Sequence, residues 1–409
     1  MFQRLLRELD INRRDFVVGG ILLINALTWF FFLISMIKEI ISSSIIEPYS
    51  LGVWITFYLS LLISSVIGSI LSNKISRFKF LNSWMILGVI VSLLPALISS
   101  LTLLPALVIS CLFGSSFGLG IPSVLAFFAD YTKVENRGRI GAITFLFANI
   151  TAPFLAIPFG GLNLMTQSMV SAFWRGTGLI IFFLKPKKNE SIEAHKDSFI
   201  SIIRDRSFYL YFFAWLMFLL VDNFQRSIIE YNIEPDLLNT MGIVEPILGV
   251  LFILIAGFMC DWIGRKKIIL SGFVALGLAY AIIGFLPNYD FSWYLYFGVD
   301  AIAWSSFSLI FILILWGDLS QHGSKEKYYT LGAIPFYLSG IIHHVIPQTL
   351  IINTDFAAAF SLASFFLFAA VMPLVFAPET LPEKNMELRR LRKFADEATK
   401  IREKYENKK

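Results

Sequence analysis

The sequence predicts an all-α membrane protein: twelve transmembrane helices arranged as two pseudo-symmetric six-helix bundles. Three observations predict it. Of 409 residues, 56% are hydrophobic and only 15% charged, against about 25% charged in a soluble globular chain. The apolar residues are gathered into runs near the ~20 residues that a ~30 Å hydrocarbon core requires. The loops between those runs alternate between rich and nearly empty in Lys and Arg, which is how a chain threads a bilayer.

Residues 1–15 form a charged lead-in with Arg4, Arg7, Arg13 and Arg14. The first apolar run behind it is full length, so it is expected to stay as an anchor rather than be cleaved as a signal peptide. Apolar segments follow at about 16–37, 50–72, 80–100, 103–128, 140–161 and 164–184. A polar linker interrupts them, and six more lie at about 207–229, 238–260, 268–287, 292–317, 329–350 and 355–377. The expected organisation is thus a first bundle at 1–184, a linker at 185–206, a second bundle at 207–377 and a tail at 378–409. Within the linker, Asp197–Arg204 places Phe199, Ile202 and Ile203 on one face, predicting a short amphipathic helix on the membrane surface. The tail from Pro382 reads as a charged, solvated helix with a narrow apolar strip.

All but three of the 34 Lys and Arg residues, namely Lys38, Arg175 and Arg226, fall on one side of this layout. The positive-inside rule makes that side cytoplasmic and places both termini there, which an even span count permits. The net charge of +5 is read as this bias, not as a nucleic-acid surface. Cys111 and Cys260 offer neither a disulfide framework nor metal-ligand spacing. No cofactor or metal is expected. Among the loops there is no Ser/His or paired-acid constellation and no phosphate-binding glycine loop, so an enzyme is not the expectation.

The junction after span four runs from Asp130 to Arg137, with Gly141-Ala-Ile opening the next span; the junction after span ten runs from Asp318 to Lys325, with Gly332-Ala-Ile following. Gly257, Asp261, Gly264 and Arg265 after span eight have a faded counterpart in Gly68, Ser72, Ser76 and Arg77 after span two. Matched junctions at a six-span offset indicate duplicated halves, the construction transporters use to rock about a midplane site. Asp261 closes span eight and Arg265 opens span nine, each at the end of its helix where the dipole disfavours its sign. Both therefore need partners on other helices. Gly257 permits close helix approach and Gly264 a left-handed turn.

These junctions, together with Pro378-Glu379-Thr380 after span twelve, resemble the signatures of the major facilitator superfamily of transporters, most nearly its sugar and metabolite porters. The resemblance implies alternating access about one central solute site. It also implies that Asp261 contacts the start of span eleven and that Arg265 bridges to Asp318 and Glu379, holding the cytoplasmic side closed in the outward-facing state. Ser72 and Ser76 depart from the pattern, which predicts a weaker first-half latch in which Arg77 turns to Asp130 or the linker. The sequence also lacks the acid in span one, the arginine in span four and the Gly-Pro…Trp run in span ten of proton-coupled sugar porters.

An ionisable group inside a span costs roughly 2.5–3.5 kcal/mol on insertion scales, so each needs a reason. Span seven carries Asp222, Asn223, Gln225 and Arg226. Asp222 and Arg226 share a face and read either as a self-satisfying ion pair or as cavity-lining groups that bind a polar solute. Asp300 in span ten is either a proton carrier, since burial favours the neutral carboxyl, or the partner of Arg226. Arg175 in span six either anchors an anion or packs against polar groups of the bundle. Asn25, Asn149 and Gln167 are weaker candidates, and His343-His344 in span eleven cannot both face a cavity. Glu230 and Glu245 are expected near the outer surface.

The expected function is secondary transport of a small polar or anionic organic solute across the cell membrane, with protons as the expected coupling ion and a monomer as the working unit. A facilitative uniporter, a drug exporter and a non-transporting solute receptor on the same fold stay open as alternatives.

Overall fold

The computed structural model describes residues 13–45, 49–98, 102–184, 198–320, 324–346, 351 and 354–381. Twelve long helical segments follow one another without strands among these residues. They are α1 (Arg13–Ser44), α2 (Tyr49–Ser72), α3 (Arg77–Leu93), α4 (Leu103–Tyr131), α5 (Arg137–Gly160) and α6 (Leu164–Thr177, continued through a 3-10 turn to Leu184). After the linker come α7 (Arg206–Asn232), α8 (Pro235–Trp262), α9 (Arg265–Phe285), α10 (Asp290–Phe307, continued through a π turn to Leu319), α11 (Lys325–Val345) and α12 (Phe356–Phe376). Nine of them are long and apolar enough to cross a membrane by length and composition, among the described residues. The chain is a multi-pass membrane protein.

Local chemistry sets the helix starts. Asn163 accepts from Thr166 N at 2.9 Å, Asp205 from Ser207 N at 3.0 Å and Asp355 from Ala358 N at 2.8 Å. Each cap satisfies a donor that the first turn leaves open. Pro235 at the start of α8 has no N–H to lose.

In a bilayer, apolar surface alone does not drive helices together; close packing and polar contacts do. The tightest pair, α2 and α4, meets at Gly68, Gly114 and Gly118, where an added Cβ would collide with the facing backbone. Ser110 Oγ donates across it to Val53 O at 2.6 Å. The six-span repeat recurs through most of the packing. The pairs α1–α5, α1–α6, α2–α4, α3–α4 and α3–α6 recur as α7–α11, α7–α12, α8–α10, α9–α10 and α9–α12. The two principal contacts between the halves, α2 with α11 and α5 with α8, exchange under the same offset.

The linker helix (Phe199–Arg204) packs under α7 and α11. Of its expected apolar face only Ile202 is buried; Phe199 is half-buried beneath Lys327, and Ile203 is exposed. Six residues give fewer than two turns, and one buried side chain is what α7 and α11 leave room for. The lead-in at residues 1–12, the linker from Lys185 to Asp197 and the tail from Pro382 lie outside the described residues, and with them the readings made there.

Candidate functional site

Two groups of polar side chains sit at opposite depths. The first lies where the basic junctions meet. Asp261, at the C-terminus of α8, accepts from Gly138 N and Arg139 N, both at 2.9 Å, and from Arg139 Nε at 3.2 Å. A carboxylate misplaced on its own helix thus becomes an N-terminal cap for a helix of the other half. Where the resemblance implied a contact with the start of span eleven, the described contacts of the acid across the halves are with α5, the repeat-mate of α11, because α8 crosses α5 there. Gly257 and Gly138 allow this crossing, since a Cβ on Gly257 would lie 2.6 Å from Gly138 O.

Arg265 is fully buried. Its Nε lies 3.2 Å from Asp318 Oδ2 and its Nη2 3.4 Å from Asp261 Oδ1. Asp318 also pairs with Arg137 of the first half and accepts from Thr380 Oγ1 at 3.2 Å. Glu379 reaches Arg265 through the backbone, accepting from Arg265 N at 2.9 Å and Lys266 N at 3.2 Å at the start of α9. Gly264 between α8 and α9 has φ 111°, a conformation in which a side chain would be strained.

The first-half copy is not left unpaired. Arg77 and Lys325 both reach Asp130, and Arg77 Nε donates to Glu326 Oε1 at 2.8 Å. Ser72 sits where the repeat places Asp261 and bonds only to Ser69 O at 3.3 Å within its own helix. The second acid comes from α11 instead. Among the described residues, the ion pairs joining the halves (Arg77–Glu326, Lys325–Asp130, Arg137–Asp318 and Arg139–Asp261) lie on this basic side.

Above this latch is a cavity of about 640 Å³ between the halves. Its first-half wall is Leu27, Phe30, Phe31, Phe117, Ile121, Leu125, Phe145, Ala148 and Asn149, almost wholly apolar. The second-half wall carries the charge: Arg226, Glu245 and Asp300, set among Trp215, Trp304, Phe311 and Trp316. Arg226 pairs with Glu230 at 3.3 Å, and both are 47% exposed, so the cavity opens toward the face opposite the latch. On that face the halves touch through rings, His344 stacking on Trp54 at 4.3 Å. His343 turns the other way, its Nδ1 3.3 Å from Ser227 Oγ.

The structure separates the other polar residues of the spans. Asp222 is buried behind the wall and accepts from Trp304 Nε1 at 3.1 Å; among the described residues Arg226 forms its ion pair with Glu230, not with Asp222 or Asp300. Gln225 donates to Ala359 O at 2.8 Å and Asn223 to Leu219 O at 2.9 Å, so both amide N–H groups turn to backbone, and neither residue lines this cavity. Arg175 is away from the cavity, sandwiched between Trp84 at 3.8 Å and Trp29 at 4.4 Å, with Nη1 donating to Asn25 Oδ1 at 2.6 Å. Gln167 bonds to Leu162 O at 2.9 Å.

Glu245 is the residue the sequence reading misplaced. It lines the cavity with Oε1 buried and without a hydrogen-bond partner. Its position seven residues into the apolar run at 238–260, close to that of Asp300, eight residues into the run at 292–317, was the available signal.

No protein-family model and no curated relative matches the sequence. Solved structures do. The human organic anion transporter MFSD10 (TETRAN) superposes with a TM-score of 0.65 at 14% identity, over 88% of this chain and 99% of that one. The major facilitator superfamily proton:xylose symporter XylE, bound to 6-bromo-6-deoxy-D-glucose, superposes with a TM-score of 0.68 at 11% identity, over 89% and 96%. The chain has the fold of the major facilitator transporters, and its cavity lies between the two halves of that fold.

Proposed function

We propose that the protein is a secondary transporter that carries an organic solute through the central cavity by alternating access, with protons as the coupling ion. The single observation that carries this is the pairing of a solute-sized cavity between the repeats with a set of inter-half ion pairs that, among the described residues, lies on one side. Such pairs hold one access route shut and are available to break when the halves rock. The basic side is taken as cytoplasmic from the distribution of Lys and Arg, which makes this the outward-facing arrangement of a cell-membrane protein. The two six-helix units at 1–184 and 207–377 are the rocking bodies, and the monomer is the working unit.

The wall chemistry narrows the solute. Ser305 and Ser308 bond to backbone carbonyls, as does Tyr329. Few hydrogen-bonding groups are therefore left for a sugar, whose hydroxyls would each lose water without replacement. The fit is better to an amphipathic solute with an apolar body on the first-half wall and a charged head on the second. The structural neighbours are named for an organic anion and for xylose, so the fold is compatible with more than one solute chemistry.

Uptake into proteoliposomes over a panel of amphipathic acids, amines and sugars, with and without an imposed pH gradient, tests the reading. Gradient-dependent accumulation of one solute supports it. Thermal stabilisation by a solute that never crosses would replace it with the receptor reading.

A further inference from the structure

The two halves of the cavity wall differ in more than polarity. The titratable groups at and behind this wall are Asp222 and Arg226 on α7, Glu245 on α8, Tyr280 on α9, and Tyr296 and Asp300 on α10, and of these Arg226, Glu245 and Asp300 line the cavity. Three are carboxyls, and one is a base. Arg226, the base, is turned toward the mouth, where it meets a fourth carboxyl, Glu230. The corner beneath it is therefore acidic on balance.

Two oxygens in that corner lack donors. Asp300 is 3% exposed, lines the cavity, and has Oδ1 buried with no hydrogen-bond partner. Glu245 Oε1 is in the same condition on the adjoining helix. A buried acceptor left unpaired costs about 1–3 kcal/mol, more when charged. Asp222 does not share the problem, because Trp304 Nε1 donates to it. The unmet need is for N–H or O–H donors and positive charge, delivered between α8 and α10.

The aromatic surroundings favour the same ligand. Trp304, packed edge to face on Trp215 at a centroid distance of 6.4 Å, lines the cavity together with Asp300, so indole rings border the site. A cation over the face of such a ring gains about 0.5–2 kcal/mol, whereas an anion is repelled.

We infer that the solute is an amphipathic organic cation whose ammonium group sits between Glu245 and Asp300 while its apolar body lies against Phe30, Phe117 and Phe145. This rests on the reading of the cavity as the solute site, and it reverses the anionic solute expected from Arg226 and Arg175. Arg175 is excluded by position, being behind the wall. Arg226 instead guards the mouth and is compensated by Glu230. An anionic head at the corner would face the carboxyls of Glu245 and Asp300, with Arg226 drawn off to Glu230.

A matched series tests the charge directly: 4-phenylbutylamine, 4-phenylbutanol and 4-phenylbutanoate share one carbon frame and differ only at the head. Binding to the purified full-length chain is followed by quenching of the cavity tryptophans and by equilibrium dialysis. The amine is expected to bind at least tenfold more tightly than the alcohol, and the carboxylate most weakly. Asp300→Asn and Glu245→Gln should each lower the amine-to-alcohol affinity ratio about tenfold. Tightest binding by the carboxylate, with loss in Arg226→Gln, overturns the inference. Equal affinities, or no binding by any of the three, also overturn it. Those results leave the transporter reading standing if other solutes accumulate in proteoliposomes. Selective amine binding with no uptake of any solute does the reverse.

Discussion

Arg77 Nε donates to Glu326 Oε1 at 2.8 Å across the boundary between the halves. Six spans on, the repeat-mate of Arg77 is Arg265, whose acid, Asp261, lies four residues before it on the preceding helix. The first half has Ser72 at that place. The two latches therefore carry equivalent charge from non-equivalent positions, and the acid has moved from the end of α2 to the start of α11.

This relocation is testable by reversal. Glu326→Gln removes one of the two acids on Arg77 and is expected to lower thermal stability by on the order of 1–3 kcal/mol, since Glu326 is buried and Arg77 mostly so. Adding Ser72→Asp should recover part of that loss in a thermal-shift assay. A double variant no more stable than Glu326→Gln alone would show that position 72 cannot reach Arg77.

Asp318 is predicted to matter more than Arg137. Removing Asp318 leaves two buried guanidinium groups, Arg137 and Arg265, without their shared acid. Breaking a buried pair costs about 3–5 kcal/mol. In Arg137→Gln, Asp318 still has Arg265, so the loss should be less than half as large. Chemical denaturation of the two variants in detergent should give this order, and the opposite order would refute the shared-acid arrangement.

Gly257→Leu should open the basic side. The side chain would enter space occupied by Ala142 and Gly138 O, forcing α8 away from α5 and pulling Asp261 off its two amide donors. Spin labels at the ends of α5 and α8 are expected to show a longer distance than in the parent chain, with slower uptake. An unchanged distance would mean that the glycine contact does not set closure.

Arg175→Met should retain stability and leave uptake unchanged. The guanidinium gains from Trp29 and Trp84, but among the described residues Nε and Nη2 are buried with no hydrogen-bond partner and no acid pairs with it. A cation–π contact gives about 2 kcal/mol when desolvated, while an unpaired buried charge costs several. A large fall in melting temperature would show that the aromatic sandwich outweighs the desolvation.

The architecture was legible in the sequence. Span number, the repeat and the clustering of bases follow from the length of apolar runs and the cost of charge in hydrocarbon, both of which act along the chain. The need of Asp261 and Arg265 for distant partners was legible too, because each sits at the wrong end of its own helix dipole. Which partners they found was decided only by tertiary structure. Asp261 reaches α5 because Gly257 and Gly138 let α8 cross there, and Arg77 takes Glu326 because α11 lies against α2. The same holds for the cavity. Periodicity puts Asp222, Asn223, Gln225 and Arg226 on one stretch of α7, but only packing against α12 and α10 turns the amide of Gln225 and the carboxylate of Asp222 away. Glu245 and Asp300 come together from α8 and α10 with acceptors unmet, and a one-dimensional pattern carries no record of which faces two helices show each other.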